Sequence, residues 1–263
     1  MTAKTVTFPW RGKRWTVRGK DTDFATMREA LRDGAFAIHA PMIAEQLQRR
    51  YRAILEVGQV PVILDLGANA GAASIWFAQG YPQAAIAAVE PLPATCDVLA
   101  RNLAHIPGSL LVAAAIGSSP GTAWLDTKWL AEGSWGVSTM RADGEAGEVP
   151  IRTIASILAD IPGGVPFIVK CNIEGAEADL FAGALEWLDE AELVFMATHD
   201  DFIPDARPSA GFQQAMAQRP FRILPLGDQI AYVRDEGASG AYSLLTHRVR
   251  DFPSPALGGI GQA

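Results

Sequence analysis

The chain opens on period-two alternation. Val6-Thr7-Phe8 and Arg14-Trp15-Thr16-Val17 flank Pro9-Trp10-Arg11-Gly12-Lys13, which predicts a β-hairpin. Two helical stretches are expected next. In the clearer one, Met42 to Leu55, the residues Ile43, Leu47, Tyr51 and Ile54 recur at helical spacing, and Glu45, Gln48, Arg49 and Arg52 take the other face. These first residues, 1–60, hold too few apolar positions for a core of their own and are expected to cap the domain that follows. From Pro61 the texture changes. Short apolar runs (Val62 to Leu66, Ala84 to Val89, Leu110 to Ile116, Phe167 to Cys171, Leu193 to Thr198) alternate with segments of crossover length. Strands buried on both faces have this character, so the pattern predicts an α/β domain with a mostly parallel sheet and helices on both faces.

Phe221 to Leu226 and Gln229 to Val233, joined through Gly227-Asp228, predict a hairpin that closes the sheet with antiparallel strands. The domain then runs over 61–250, with an insertion at 117–164 and a Pro- and Gly-rich tail at 251–263. The insertion holds Trp124, Trp129, Trp135 and an acidic patch from Asp143 to Glu148. The tryptophans could form a lid that stacks on a sugar, but they serve equally as large core fillers.

Composition narrows the function classes. With 49% hydrophobic and 19% charged residues, the chain can bury a large core, which argues against disorder. A net charge of −7 lacks the basic footprint of a nucleic-acid-binding protein. Two distant cysteines, Cys96 and Cys171, exclude a disulfide scaffold or thiolate cluster and suit the cytoplasm. No signal-peptide pattern opens the chain and no apolar run approaches the roughly 18 residues of a membrane span, so neither secretion nor membrane insertion is expected. The oligomeric state is left open, a homo-oligomer included.

The most informative string is Ile63-Leu64-Asp65-Leu66-Gly67-Ala68-Asn69-Ala70-Gly71, a buried strand running into a glycine loop with a helix after it at Ala72 to Gln79. In a parallel sheet the first strand–helix loop floors the ligand crevice. Gly67 and Gly71 let backbone approach a ligand, and the helix N-terminus offers N–H groups to an anion. The spacing is G-x-x-x-G, not the dinucleotide G-x-G-x-x-G. With Asp65 before it and Asn69 inside it, the loop suits a ligand that carries an amine, such as S-adenosylmethionine (SAM); an ordinary strand–turn–helix corner would look similar. Glu90 ends the second core strand, where a carboxylate can accept both ribose hydroxyls, and Pro91 bends the chain away. NAD proteins carry an acidic residue there too, so Glu90 points to a nucleoside in general. Ala115 and Ile116 end the third run, where small apolar groups could flank an adenine.

The fourth run ends in Lys170-Cys171-Asn172-Ile173-Glu174-Gly175-Ala176-Glu177, and Gly175 is expected to start a helix through Leu180, Phe181, Ala184, Leu185 and Leu188. Charged groups at the mouth of a buried strand are more often functional or ion-paired than packed. Together with Asp65 to Gly71, Val89-Glu90-Pro91, Asn102-Leu103, Ala115-Ile116 and Ile151-Arg152-Thr153-Ile154, this string resembles the FkbM-type SAM-dependent methyltransferases over roughly Val62 to His199. The resemblance implies a class I methyltransferase (Rossmann-like) sheet, seven-stranded with a reversed last strand. It also implies methyl transfer to oxygen of a small-molecule or glycan acceptor. It carries the cofactor role to Asp65, Gly67, Ala68, Asn69, Gly71, Glu90, Pro91, Ala115, Ile116 and Asn172.

Two departures stand out. Asn172 replaces the family's Asp, and Ala197 precedes His199 where the family often has Glu. Asn can orient a hydroxyl or an amine but takes no proton at neutral pH. His199 is therefore the first candidate base, beside a structural reading as a surface His, and Glu174 the second, beside a reading as a helix N-terminal carboxylate. His199-Asp200-Asp201 also suggests a metal, but adjacent carboxylates diverge and no metal is expected. Rival readings are a non-catalytic SAM-binding scaffold, motivated by Asn172, and an NAD(P)-dependent oxidoreductase, which the missing G-x-G-x-x-G disfavours.

Overall fold

The computed structural model describes residues 5–19, 22–126, 138–140, 148–200, 207–227 and 229–239. Trp129, Trp135, Asp201, most of the acidic patch that starts at Asp143 and the tail 251–263 lie outside them. Strands β1 (Thr5–Trp10) and β2 (Lys13–Arg18) form the hairpin, with Phe8 opposite Trp15 and both buried. Helices α1 (Asp23–Leu31) and α2 (Pro41–Glu56) follow, α2 burying the Ile43, Leu47, Tyr51 and Ile54 stripe expected from spacing.

The main sheet is built from β3 (Val60–Leu66), β4 (Ala85–Val89), β5 (Ser109–Val112), β10 (Gly164–Cys171), β11 (Leu193–Met196), β12 (Phe221–Leu226) and β13 (Gln229–Arg234). Their order is β12-β13-β11-β10-β3-β4-β5. β13 runs antiparallel to both neighbours and the other pairings are parallel, so one strand is reversed. Seven strands with the last one reversed are what the resemblance implies. The period-two alternation of buried strands separates two cores. Ile63, Ile86, Ile168 and Phe195 pack with the hairpin, α1, α2, α3 (Ala72–Gly80) and α4 (Pro93–Leu103). Leu64, Ala87, Val169 and Val194 pack on the other face with α5 (Ile154–Ala159), α6 (Glu177–Leu180), α7 (Trp187–Glu190) and α8 (Ala210–Ala217). From β3 the chain moves outward to β4 and β5, and later returns to β10 on the opposite side. The switch in direction lies between β3 and β10, where ligands settle in open α/β sheets.

Three expectations need correction. The third run is not one strand. β5 ends at Val112, the amide of Ala114 turns back on the Val112 carbonyl, and β6 (Ala115–Ile116) joins a separate four-stranded sheet ordered β6-β9-β7-β8. Its other strands, β7 (Gly121–Asp126), β8 (Ser138–Met140) and β9 (Glu148–Arg152), fall within the insertion. The fifth run ends as a strand at Met196, so His199 stands three residues beyond it. The helix expected from Gly175 is instead two single turns, α6 and α7. Gly183 between them lies against Ser118, where a Cβ would stand 2.8 Å from that residue, and Ser118 Oγ donates to Asp179 at 2.9 Å. This contact with the loop after β6 interrupts the helical run. Among the described residues no helix is long and apolar enough to cross a membrane.

Candidate functional site

Buried β3 delivers Asp65 to the start of the first loop with no solvent exposure. Its Oδ2 accepts the amide of Ser74 at 3.0 Å and the Ser74 hydroxyl at 2.7 Å, and Lys170 Nζ lies 3.3 Å from Oδ1. Ser74 is the third residue of α3, and the N-cap itself, Gly71, supplies no side-chain cap. Asp65 therefore fills the capping role across the loop. This corrects two expectations. Asp65 braces the loop from below, and one of the N–H groups expected to face an anion already has a partner.

Lys170 ties the same loop from the neighbouring strand. Its Nζ donates to the carbonyls of Gly67 at 2.7 Å and Leu66 at 3.2 Å. The amides of Gly67 and Ala68 both reach the Val89 carbonyl, so the loop is held by β4 as well. Gly67 has φ +74°, and a Cβ there would stand 1.9 Å from the backbone oxygen of Asn172. Gly71 has φ +88°, with Leu99 2.8 Å from where its Cβ would be. Both glycines are required by backbone geometry and close approach.

Above the loop lies a cavity of about 180 Å³ lined by Gly67, Ala68, Asn69, Lys170, Asn172 and, from α1, Thr26 and Glu29 among others. Four predicted site residues thus meet in one space. The Oδ1 of Asn172 is buried and accepts no hydrogen bond from the described residues, an orphaned acceptor beside this cavity. Its chemistry fits an ammonium or hydroxyl donor. The volume is below the roughly 300–1,000 Å³ of whole-ligand pockets. It matches one end of an extended ligand.

Glu90 borders the loop from β4. Its Oε2 accepts the amide of Asn69 at 3.0 Å and its Oε1 that of Leu92 at 2.9 Å. Each oxygen keeps a further lone pair for a ribose hydroxyl. Burial raises this carboxyl to about 7, against the lowering pull of the two amides, Lys170 and Arg18. Pro91 follows on the way to α4. Ala115 and Ile116 are buried in the second sheet, paired with Ile151 and Arg152, and do not line the cavity. The break after β5 carries them away.

The two candidate bases do come together. His199 Nε2 lies 3.5 Å from Glu174 Oε2, and His199 Nδ1 lies 2.6 Å from Glu177 Oε1. Glu174 sits at φ +51° before Gly175 at φ +94°. A non-glycine residue held in that region costs about 1–3 kcal/mol and persists where its surroundings fix it. Burial pushes the Glu174 carboxyl up; His199 opposes the shift, Glu177 adds to it and Lys170 opposes it. Among the described residues no group of three or more His, Cys, Asp or Glu is placed to hold a metal ion.

Sequence reasoning assigned no role to two residues that the structure places at the site. Arg18, in the hairpin, donates through Nε to Asp23 Oδ2 at 2.9 Å, through Nη1 to Thr95 at 2.8 Å and through Nη2 to Asn69 Oδ1 at 2.7 Å, and forms an ion pair with Asp23. Asn102 on α4 pairs with both backbone groups of Thr16 and donates to the Ala70 carbonyl at 2.7 Å. Both tie the hairpin to the glycine loop. A hairpin Arg gives no local signal of a partner 51 residues on, whereas Asn102 was visible only as part of the family pattern.

No family model matches the chain. The methyltransferase sdnD of Sordaria araneosa is 28% identical over 224 residues, covering 73% of this chain and 82% of that protein. Among solved structures, cofactor-bound Rv0187 from MTB is 16% identical, with 82% of this chain and 92% of that one covered and a TM-score of 0.42. The O-methyltransferase TomG from Streptomyces achromogenes, solved in complex with SAM, is 18% identical, with 80% and 86% covered and a TM-score of 0.40.

Proposed function

We propose that this protein is a SAM-dependent methyltransferase of the FkbM type that methylates oxygen on a small-molecule or glycan acceptor. The observation that carries the reading is the cavity over the first loop, where Gly67, Ala68 and Asn69 meet the orphaned Oδ1 of Asn172. The similarity to a curated methyltransferase supports it independently of the cavity. When bound, SAM supplies an electrophilic methyl group on a sulfonium.

The remaining work falls to this chain. Asn69, Ala68 and Asn172 hold the amino-acid end, and Glu90 accepts from the ribose. Gly71 shapes the loop, and Asp65 with Lys170 keeps it rigid. Pro91 turns the chain out of the site. Holding acceptor and methyl at contact distance supplies much of the acceleration in an in-line displacement. An alcohol acceptor also loses its proton as the bond forms, a contribution of about 10²–10⁴-fold. Glu174, the most exposed of the Glu174, His199 and Glu177 group, takes that proton, with His199 behind it. The base expected at His199 therefore acts through its neighbour, and position 172 is free to be Asn. Residues 1–60 serve as a cap on the 61–250 domain, a reading supported by the Arg18–Asn69 and Asn102–Thr16 bonds. Two free, buried cysteines support a cytoplasmic location.

Thermal-shift measurement with S-adenosylhomocysteine and NAD side by side tests the cofactor. At a hundredfold excess over Kd a ligand adds about 2.7 kcal/mol, or roughly 5–10 °C for a chain of this size. A shift with the nucleoside sulfide and none with NAD is expected. A shift with NAD alone would make this an oxidoreductase. Asn172 favours one second reading, a SAM-binding scaffold without catalysis, which transfer of labelled methyl to any acceptor would rule out.

A further inference from the structure

The three acidic and imidazole side chains past the ends of β10 and β11 are ordered by depth. Glu174 is 19% exposed, His199 7% and Glu177 fully buried. The imidazole thus lies between an outer and an inner carboxylate. We propose that Glu177 is the positioning residue of this site: it holds His199 with Nδ1–H toward its own carboxylate and Nε2 turned to Glu174. A proton that Glu174 takes from an acceptor then passes to an imidazole already backed by a negative charge.

The argument is geometric. A carboxylate accepts but does not donate, so the 2.6 Å contact places the proton on Nδ1 and leaves the Nε2 lone pair facing outward. Protonated Glu174 beside neutral His199, and ionised Glu174 beside the imidazolium, hold the same number of protons. The move from Oε2 to Nε2 therefore changes no net charge. The second oxygen of Glu177 has no hydrogen-bond partner among the described residues. The other groups around the array are Lys170, whose charge reaches Glu174, the Cys171 thiol, whose pKa burial and Glu177 raise, and Asp200, next to His199 in sequence. This inference rests on the methyl-transfer reading for its purpose, but its geometry is tested without cofactor or acceptor.

Two-bond ¹H–¹⁵N spectra of the histidine rings, with His199 assigned through His199→Gln, read the tautomer directly. The expected wild-type result above the imidazole titration is a protonated Nδ1 and a bare Nε2. In Glu177→Leu, which offers the ring no acceptor, that preference is lost, and in Glu174→Gln it remains. A wild-type Nε2–H tautomer, or a Glu177→Leu spectrum unchanged from wild type, would overturn the proposal. The wild-type arm, which needs only His199→Gln for assignment, holds even if the Glu177 and Glu174 variants fail to fold. Absence of SAM binding with the expected tautomer intact would count against the methyltransferase reading alone.

Discussion

The backbone oxygen of Asn172 sits where a side chain on Gly67 would begin, 1.9 Å from the Cβ position. The first loop and the loop after β10 are thus in direct contact, and residues of both line the cavity.

Gly67→Ala is expected to push the two loops apart as well as force alanine to φ +74°. The backbone alone costs about 1–3 kcal/mol. Denaturant unfolding should show at least that loss, and calorimetry should show nucleoside binding weakened beyond detection in the folded fraction.

Glu90 makes cofactor binding pH-dependent. Its carboxyl titrates near 7, and a ribose hydroxyl donates better to the ionised form. Affinity for S-adenosylhomocysteine should rise about tenfold from pH 6 to pH 8, as the ionised fraction does. Stability runs the other way. The raised group binds its proton more tightly in the folded state, so its contribution is full below about 4.5 and is lost as pH rises through about 7. Glu90→Gln should flatten both profiles between pH 5 and 8.

Arg18→Ala leaves Asp23, fully buried, without its ion-pair partner. Breaking a buried pair on one side costs about 3–5 kcal/mol. Because the same guanidinium bonds Asn69, affinity for S-adenosylhomocysteine should fall with stability, which a urea titration and calorimetry would show together. Unchanged affinity would separate the hairpin from the loop.

Asn172→Ala removes the orphaned acceptor and should weaken binding by about 1 kcal/mol, roughly fivefold, while Asn172→Asp should retain it. Calorimetry on both variants decides whether the position serves the cofactor.

Much of this was legible because it is local or periodic. The runs at Val62, Phe167 and Gln229 declared buried strands, and Gly67 and Gly71 declared the loop. What was not legible depends on distant contacts. Ala115 and Ile116 read as the end of a strand because apolar character continues through the turn at Ala114, which only the partner β9 resolves. The helix after Gly175 had the right spacing but lost to Gly183 packing on Ser118. Asp65 looked ligand-facing in one dimension, yet Ser74, nine residues on, claims its carboxylate. Glu177 was in the motif, but its contact with His199 spans 22 residues and needs the fold.

The account stands on nucleoside binding over the first loop, and titration calorimetry with S-adenosylhomocysteine tests it most directly. One site with micromolar affinity, lost in Gly67→Trp, is the predicted result. No heat from the folded wild-type protein at concentrations well above that range would contradict it.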